Sequence, residues 1–153
     1  MEIFFEEINM FTEKYSFLSN FSYIDILYER IRYPSVENAY QAAKSNDLNY
    51  KHRCEICTPG ASKRLGKQIK LREDWEDVKV EMMYELLKQK FQNDDLQKQL
   101  LETKTSNLIE GNYWHDNIWG DCYCDKCKNI KGRNILGILL MKVRDEINAR
   151  DYE

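Results

Sequence analysis

The chain has 153 residues, of which 42% are apolar and 32% are charged, a balance that is ordinary for one globular domain. The net charge of −3 argues against a general nucleic-acid-binding protein, because such proteins neutralise phosphates with an excess of positive charge. The sequence has no apolar run of the about 18 residues that a membrane-spanning helix needs, so we expect no membrane contact.

The N-terminal sequence, MEIFFEEINMF, carries acidic residues where a secretory signal peptide carries basic ones. We therefore predict a cytoplasmic protein. In that reducing compartment the five cysteines are expected to stay unpaired or to bind a metal.

The first part of the chain predicts a few short strands and then a helix. Residues 3–5 are a candidate strand, and the aromatic-rich stretch that follows predicts a loop. Residues 23–33 alternate as two short strands do, with a turn near Tyr28 and Glu29. Ser35 is a suitable N-cap for a helix with the sequence VENAYQAAKSN.

Helices are predicted for most of the remaining chain. Their expected positions are 48–56, a segment starting at Thr58-Pro59 and stopping near Gly66, a long segment within 72–91, a segment capped by Asn93, and 135–143. In the last of these, Ile135, Ile138 or Leu139, and Met141 or Lys142 are expected on the buried face. We predict an α+β, predominantly helical fold, with residues 1–153 in one compact domain and a small hairpin near the N-terminus.

Two polar stretches are candidates for a functional site. In the helix after Ser35, helical spacing places Glu37, Gln41 and Lys44 on one stripe, which is either a solvated face or part of a site. Residues 51–72 contain seven basic residues and one acid, which is typical of a solvated helix face and equally of the rim of a phosphate pocket.

A third stretch, at residues 108–120, combines charged groups with tryptophans. Glu110, Trp114, His115, Asp116 and Trp119 lie within ten residues, and a predicted core helix follows. Such a segment is either a site held rigidly by the scaffold or a surface loop whose tryptophans reach the core.

The sequence contains an ordered set of motifs that covers nearly the whole chain. They are LSNFS at 18–22, YPSVENAYQAAK at 33–44, TPGASKRLG at 58–66, REDWEDVKVEMMYELLKQKFQND at 72–94, LLETKTSNLIE at 100–110, D-x-x-W-G at 116–120, and G-x-N-x-L-G-x-x-L-M-x-x-R at 132–144. In this order they resemble the NADAR family, the YbiA-like N-glycosidases. The resemblance implies a single NADAR domain and hydrolysis of an N-glycosidic bond. Known members act on amino-pyrimidine ribosyl phosphates of riboflavin biosynthesis or remove ADP-ribose from modified guanine.

The resemblance also implies roles for residues within the matching motifs. Glu37, Lys44 and Asp116 are the expected catalytic residues, with the two carboxylates stabilising positive charge on the sugar. The expected substrate-binding residues are Asn20, Phe21, Arg64, Trp75, Trp119 and Gly120. Lys44 is a proton donor, a Schiff-base amine or a cation that orients the substrate, and Trp75 is a stacking surface or a core residue.

The expected ligand is a small phosphorylated N-ribosyl compound or an ADP-ribosylated nucleobase, and we expect a monomer that needs no cofactor for catalysis. The alternative function is a non-catalytic module that binds ADP-ribose or a nucleotide. Because both carboxylates and the lysine are present, the enzyme is favoured.

The cysteines depart from the family pattern. Cys54 and Cys57 form one C-x-x-C pair, and Cys124 and Cys127 form another, so these four are the candidate ligands of a structural zinc ion. In that assignment Cys122 is left over, and His52 or His115 are possible substitutes. If the two pairs do not meet, the cysteines are ordinary reduced thiols.

Overall fold

The computed structural model of the protein describes residues 6–150. Within it the chain divides into two compact units. One unit is Asn20–Gln92, and the other joins the chain up to Ser19 with the chain from Asn93 onward. The candidate strand at residues 3–5 lies outside the described residues.

Helices dominate the described residues. The α-helices are α1 (Val36–Ala42), α2 (Leu48–Ile56), α3 (Pro59–Gly66), α4 (Trp75–Lys90), α5 (Asp94–Glu102) and α6 (Ile135–Arg150). The strands are β1 (Glu7–Ile8), β2 (Ile26–Tyr28), β3 (Ile31–Tyr33), β4 (Asn107–Leu108), β5 (Gly111–Asn112) and β6 (Asp121–Cys122), and the 3-10 helices are Glu13–Leu18 and Asp125–Cys127. The predicted α+β, mainly helical fold class is confirmed, whereas the prediction of one domain remains a prediction. Among residues 6–150, no helix combines the length and the apolar character needed to cross a bilayer.

The Asn20–Gln92 unit begins with the predicted hairpin. Strands β2 and β3 are antiparallel, with Ile26 opposite Tyr33. Glu29 and Arg30 form the turn with φ angles of 47° and 71°. Two successive left-handed residues match the twist of the flanking strands, so this tight turn closes the hairpin without splaying it.

Helix α1 is the centre of this unit, where it packs against α2, α3 and α4. All seven of its residues are buried. The predicted cap is confirmed, because the Asn38 N–H donates to the Ser35 hydroxyl at 3.1 Å. The Asn38 amide also donates to the carbonyls of Cys54 at 2.8 Å and Cys57 at 2.9 Å, which ties the end of α2 to α1.

The other unit contains two short parallel strand pairs that the sequence did not predict. Strand β1 pairs with β4, and β5 pairs with β6. Each strand is two residues long, so none shows the alternation by which a strand is recognised in a sequence. Helix α6 packs against β4 and α5.

The buried face of α6 differs from the predicted one by a shift of one residue. Ile138 is 54% exposed, whereas Leu136, Leu139, Leu140, Val143 and Ile147 are buried. Residues 135–141 are apolar on nearly every side, so two helical stripes offset by one residue fit the sequence equally well. The helix also extends to Arg150, beyond the predicted end at Val143.

Candidate active site

The polar stripe of α1 is buried, which excludes the solvated-face alternative. Glu37 is only 7% exposed, and Gln41 is buried beside it. The Gln41 amide nitrogen donates to Glu37 Oε1 at 2.8 Å. Helix α1 ends at Ala42, before the predicted end at Asn46, and Lys44 is half-buried in the turn that follows, where its N–H donates to the Gln41 carbonyl at 3.2 Å. Helical spacing and the packing around α1 therefore hold a carboxylate, an amide and an amine together.

Gly66 of α3 makes room for these side chains. A Cβ atom at this position would overlap Gln41 Oε1 and would lie 3.2 Å from Lys44 Nζ. Gln41 Oε1 is buried and accepts no hydrogen bond from any described residue. The glycine that ends the TPGASKRLG motif thus allows α3 to lie directly against the polar stripe of α1.

The environment of Lys44 lowers its pKa. Desolvation is the largest cause, while the charge of Glu37 acts in the opposite direction and Lys63 adds to the lowering. Lys44 Nζ lies 5.6 Å from the centre of the Tyr40 ring. Burial therefore outweighs the neighbouring carboxylate, and the neutral amine becomes accessible at a lower pH than in a free lysine.

Trp75 lies at the start of α4 and packs on Tyr40, with ring centres 5.1 Å apart and planes inclined by 53°. The indole is buried, as the core alternative for this residue requires. A stacking role for Trp75 against substrate stays a prediction.

Asn20 lies next to the first turn of α1, because its carbonyl accepts the Glu37 N–H at 3.0 Å. Its side-chain nitrogen donates to Met83 Sδ at 3.4 Å, and its buried Oδ1 accepts no hydrogen bond from the described residues. A buried acceptor left open on a residue whose backbone contacts the first turn of α1 suits a ligand hydroxyl.

Two other predicted substrate-binding residues of this unit lie closer to solvent. Phe21 is partly exposed, with Lys63 Nζ 5.9 Å from its ring centre. Arg64 is exposed in the last turn of α3. The exposed guanidinium of Arg64 suits contact with a phosphate, and the ring of Phe21 suits contact with an apolar or flat part of a ligand.

In the other unit, Asp116 organises the D-x-x-W-G loop. Its Oδ1 accepts the N–H groups of Ile118 at 3.1 Å and Trp119 at 2.9 Å. Asn112 holds the same loop from behind, since its side chain accepts the Asp116 N–H at 3.1 Å and donates to the Asp116 carbonyl at 2.8 Å. The fixed spacing of this motif therefore has a local structural cause.

Gly120 follows this loop and permits a close backbone crossing. A Cβ atom there would overlap the Glu110 carbonyl and would lie 2.8 Å from Asn112 Nδ2. The Gly120 carbonyl accepts the Asn134 N–H at 3.1 Å, and the Asn134 side chain donates to the Leu108 carbonyl at 2.9 Å. These contacts attach the loop to the start of α6.

The predicted residues fall in both units. Asn20, Phe21, Glu37, Lys44, Arg64 and Trp75 belong to Asn20–Gln92, and Asp116, Trp119 and Gly120 belong to the other unit. That both groups line one pocket stays a prediction.

A potential metal-binding cluster lies in the second unit. His115, Cys122, Cys124 and Cys127 each offer one donor atom, and these atoms lie within 4.8 Å of one another. The group contains two of the four predicted zinc ligands, Cys124 and Cys127, together with the histidine considered as a substitute and the cysteine considered left over.

Cys54 and Cys57 are not members of this cluster. Cys54 is fully buried and Cys57 is half-buried, and desolvation raises the pKa of both thiols. Asn38 binds the carbonyls of both residues. Their C-x-x-C spacing thus coincides with the end of α2.

Comparison with known proteins identifies the family. A family model described as the NADAR domain matches residues 4–148. The chain belongs to the NADAR family.

Over 139 residues it is 35% identical to a riboflavin biosynthesis protein of Vibrio vulnificus, which covers 88% of this chain and 36% of that protein. The chain thus spans about a third of that relative's length. It is 32% identical over 140 residues to N-glycosidase YbiA of Escherichia coli, which covers 89% and 84% of the two chains.

The fold is also similar to that of a solved protein structure. The NMR structure of YbiA from Escherichia coli matches with a TM-score of 0.81 and 30% identity, over 99% of this chain and 90% of that chain. The predicted family resemblance is confirmed by these matches.

Several residues that shape this NADAR chain were not singled out in the sequence. Asn38 and Asn112 are buried, and their side chains make hydrogen bonds to backbone groups further along the chain. Because asparagine is polar, a buried asparagine does not add to the periodic pattern of apolar residues. The sequence pattern therefore did not distinguish Asn38 and Asn112 from surface residues. Gly66 lay within a quoted motif, but its contact with Gln41 depends on how α1 and α3 cross.

Proposed function

We propose that this NADAR chain hydrolyses the bond between C1 of a phosphorylated ribose and the nitrogen of a heterocyclic amine. The observation that supports the proposal is the polar stripe of α1. There a buried carboxylate, Glu37, is hydrogen-bonded by Gln41, and a half-buried amine, Lys44, lies in the turn that follows the helix. Cleavage of an N-glycosidic bond needs a negative charge near the sugar and a proton for the leaving nitrogen.

The enzyme class, a hydrolase acting on N-glycosyl bonds, is confirmed by relatives named N-glycosidase YbiA that match 89% of this chain. Its substrate is part of the proposal. Because the matching Vibrio vulnificus protein is named for riboflavin biosynthesis, an amino-pyrimidine ribosyl phosphate is our first candidate. An ADP-ribose adduct of guanine is the second.

The proposed reaction uses Glu37 and Lys44 in different roles. As the C1–N bond breaks, its electron pair stays on the nitrogen and positive charge develops on the sugar ring, where the Glu37 carboxylate stabilises it. The Lys44 ammonium protonates the leaving nitrogen. Water then adds its oxygen to C1 and its released proton restores the ammonium, so the products are ribose phosphate and the free amine.

The lowered pKa of Lys44 supports this role, since a weaker hold on the proton makes a better acid near neutral pH. The same shift would also favour a nucleophilic amine that forms an imine with an opened sugar. Because Glu37 favours the ammonium form, we assign the acid role to Lys44.

The remaining predicted residues are assigned to binding. We propose that Asn20 Oδ1 accepts a hydrogen bond from a ribose hydroxyl, and that Arg64 and the neighbouring basic residues bind phosphate. Asp116 is proposed as the second carboxylate and Trp119 as a stacking surface for the heterocycle. Catalysis in this proposal requires no cofactor, and the enzyme acts as a cytoplasmic monomer.

Product analysis tests the function directly. The purified chain is incubated with an amino-pyrimidine ribosyl phosphate and, separately, with ADP-ribosylated guanosine, and released base is measured by mass spectrometry. Release that requires Glu37 is the expected result. Tight binding of either compound without release would instead identify a non-catalytic nucleotide-binding module.

A further inference from the structure

We propose that His115, Cys122, Cys124 and Cys127 bind a structural zinc ion. His115 Nδ1 lies 3.3 Å from Cys124 Sγ and 3.4 Å from Cys127 Sγ, and all four donor atoms lie within 4.8 Å of one another. Tetrahedral zinc, with bonds of about 2.3 Å to sulfur and about 2.1 Å to nitrogen, places its ligand atoms roughly 3.5–3.8 Å apart. The donors thus need only small shifts to enclose one ion.

The chemistry of the four donors favours zinc. Three soft thiolates and one imidazole of intermediate softness suit zinc, whereas magnesium and calcium prefer oxygen ligands. Four protein ligands also fill a tetrahedral shell and leave no position for a reactive water, which is the arrangement of structural sites. Cys122 and Cys127 are 2% and 5% exposed, so two of the sulfurs are shielded from solvent.

Hydrogen-bond donors surround the sulfur atoms as they do in metal sites. The backbone N–H of His115 donates to Cys122 Sγ at 3.3 Å, and the side-chain amide of Asn117 donates to Cys127 Sγ at 3.3 Å. Asn117 also accepts the Cys122 N–H at 2.9 Å. Donors of this kind stabilise thiolates and orient the ligands around the ion.

The backbone brings the ligands together by two local devices. Cys124 directly precedes a single 3-10 turn that ends at Cys127, and the Cys127 N–H donates to the Cys124 carbonyl at 3.0 Å. His115 has a left-handed φ of 70°, an uncommon conformation for a residue with a side chain. In that conformation its imidazole lies against the two sulfurs of the turn.

The position of the site indicates what the ion does. His115 directly precedes Asp116, and Cys122 follows Gly120 by two residues, so the ligands bracket the D-x-x-W-G loop. The ion would therefore fix both ends of that loop. This consequence for activity rests on the proposed function of Asp116 and Trp119, whereas binding of zinc does not.

Metal analysis of the full chain tests the site without any substrate. Protein purified under reducing conditions without added metal should contain about one zinc per chain. Cys122→Ser and Cys127→Ser should lose it, and Asn117→Ala should lower zinc affinity about 10- to 100-fold. Cys57→Ser is the matched control and should retain zinc, because Cys57 lies outside the cluster. If Cys57→Ser lost zinc as Cys127→Ser does, the proposed ligand set would be wrong.

Replacing one metal ligand by another tests the site with a variant that is expected to fold. His115 is exposed, so His115→Cys should fold, keep the ion with four sulfurs, and change the absorption of the cobalt-substituted protein. His115→Ala should weaken cobalt binding. Cobalt spectra that are identical in wild type and His115→Cys would overturn the assignment of His115, and an iron–sulfur spectrum of the purified protein would overturn the assignment of zinc.

Limited proteolysis tests whether the ion holds the loop. Lys126, Lys128 and Lys131 provide trypsin sites within the segment. Chelation should accelerate cleavage at these lysines, and added zinc should reverse the effect. Unchanged cleavage in chelated protein would contradict the structural role. An enzyme that binds zinc but releases no base would leave the site standing and refute the proposed function instead.

Discussion

The polar stripe of α1 and the segment from residue 111 to residue 134 are held in place in different ways. Helical spacing aligns Glu37 and Gln41 of α1 with Lys44 in the turn that follows, and packing against three other helices buries Glu37 and Gln41. The 111–134 segment contains two strands of two residues each and one short 3-10 helix, and it relies on individual side chains such as Asn112 and Asp116. Changes in α1 should therefore separate chemistry from folding more cleanly than changes in the segment.

Glu37→Gln should have the largest effect. Removing a carboxylate that stabilises the transition state should slow base release about 10²- to 10⁴-fold. The amide keeps nearly the same shape, so thermal unfolding should change little. Glu81→Gln, at an exposed position of α4, is the matched control and should react normally. A folded Glu37→Gln enzyme with near-normal turnover would remove this carboxylate from the mechanism.

Substitutions of Asp116 test the 111–134 segment, because its carboxylate also accepts hydrogen bonds that shape the loop. Asp116→Asn retains an oxygen that accepts the N–H groups of Ile118 and Trp119, so the loop should persist while the rate falls about 10²-fold. Asp116→Ala should in addition lower the free energy of unfolding by about 1–3 kcal/mol, since both N–H groups lose their acceptor. Normal turnover by Asp116→Asn would assign this residue to loop structure alone.

The same comparison explains how much could be predicted from the sequence. Ser35, Thr58 and Asn93 are caps that act within one helical turn, and the helices they predict are confirmed with their starts. Periodicity placed Glu37 and Lys44 on one stripe, but burial of that stripe depends on how α2, α3 and α4 pack against α1, which periodicity does not specify. The sequence therefore predicted that these polar residues lie on one stripe. It did not indicate whether the stripe is a solvated face or part of a functional site.

The 111–134 segment was less predictable for a related reason. Its order comes from contacts such as Asn134 to Leu108, which join residues that no local pattern connects. The cysteines show the same limit, since the C-x-x-C spacing found Cys124 and Cys127 but could not show that His115 and Cys122 lie beside them. Family motifs marked the important positions, while the contacts that explain them required the structure.

The pH dependence of the rate distinguishes the possible roles of Lys44. Desolvation lowers the pKa of this amine below its ordinary value of about 10.4. If the ammonium is the acid, the rate should fall about tenfold per pH unit above that lowered pKa. A nucleophilic amine would give the opposite sign, with a rate that rises to a plateau, and borohydride would trap a sugar adduct on Lys44. Such an adduct in the active enzyme would overturn the acid role.

Unfolding in urea provides an independent measure of the same shift. The pKa of Lys44 is lower in the folded chain than in the unfolded chain, so the unfolded state binds more protons between the two values. The contribution of Lys44 to the free energy of unfolding should therefore increase with pH across that interval. Lys44→Met removes the ionisable group, and the difference between its unfolding free energy and that of wild type should depend on pH with this sign. A difference that is constant with pH would indicate an unshifted lysine.

The smallest expected effect concerns two glycines of α3. It shows where added side-chain volume next to the α1 stripe is destabilising. A Cβ at Gly66 would overlap Gln41 Oε1, whereas a Cβ at Gly60 would meet Arg64 at 3.7 Å, an ordinary contact. Gly66→Ala should lower the free energy of unfolding by about 1–3 kcal/mol, because the buried Gln41 must move away from Glu37. Gly60→Ala should raise it by about 0.4–1 kcal/mol through reduced freedom of the unfolded chain. Urea unfolding measures both, and effects of the same sign would contradict the close packing of Gly66 against Gln41.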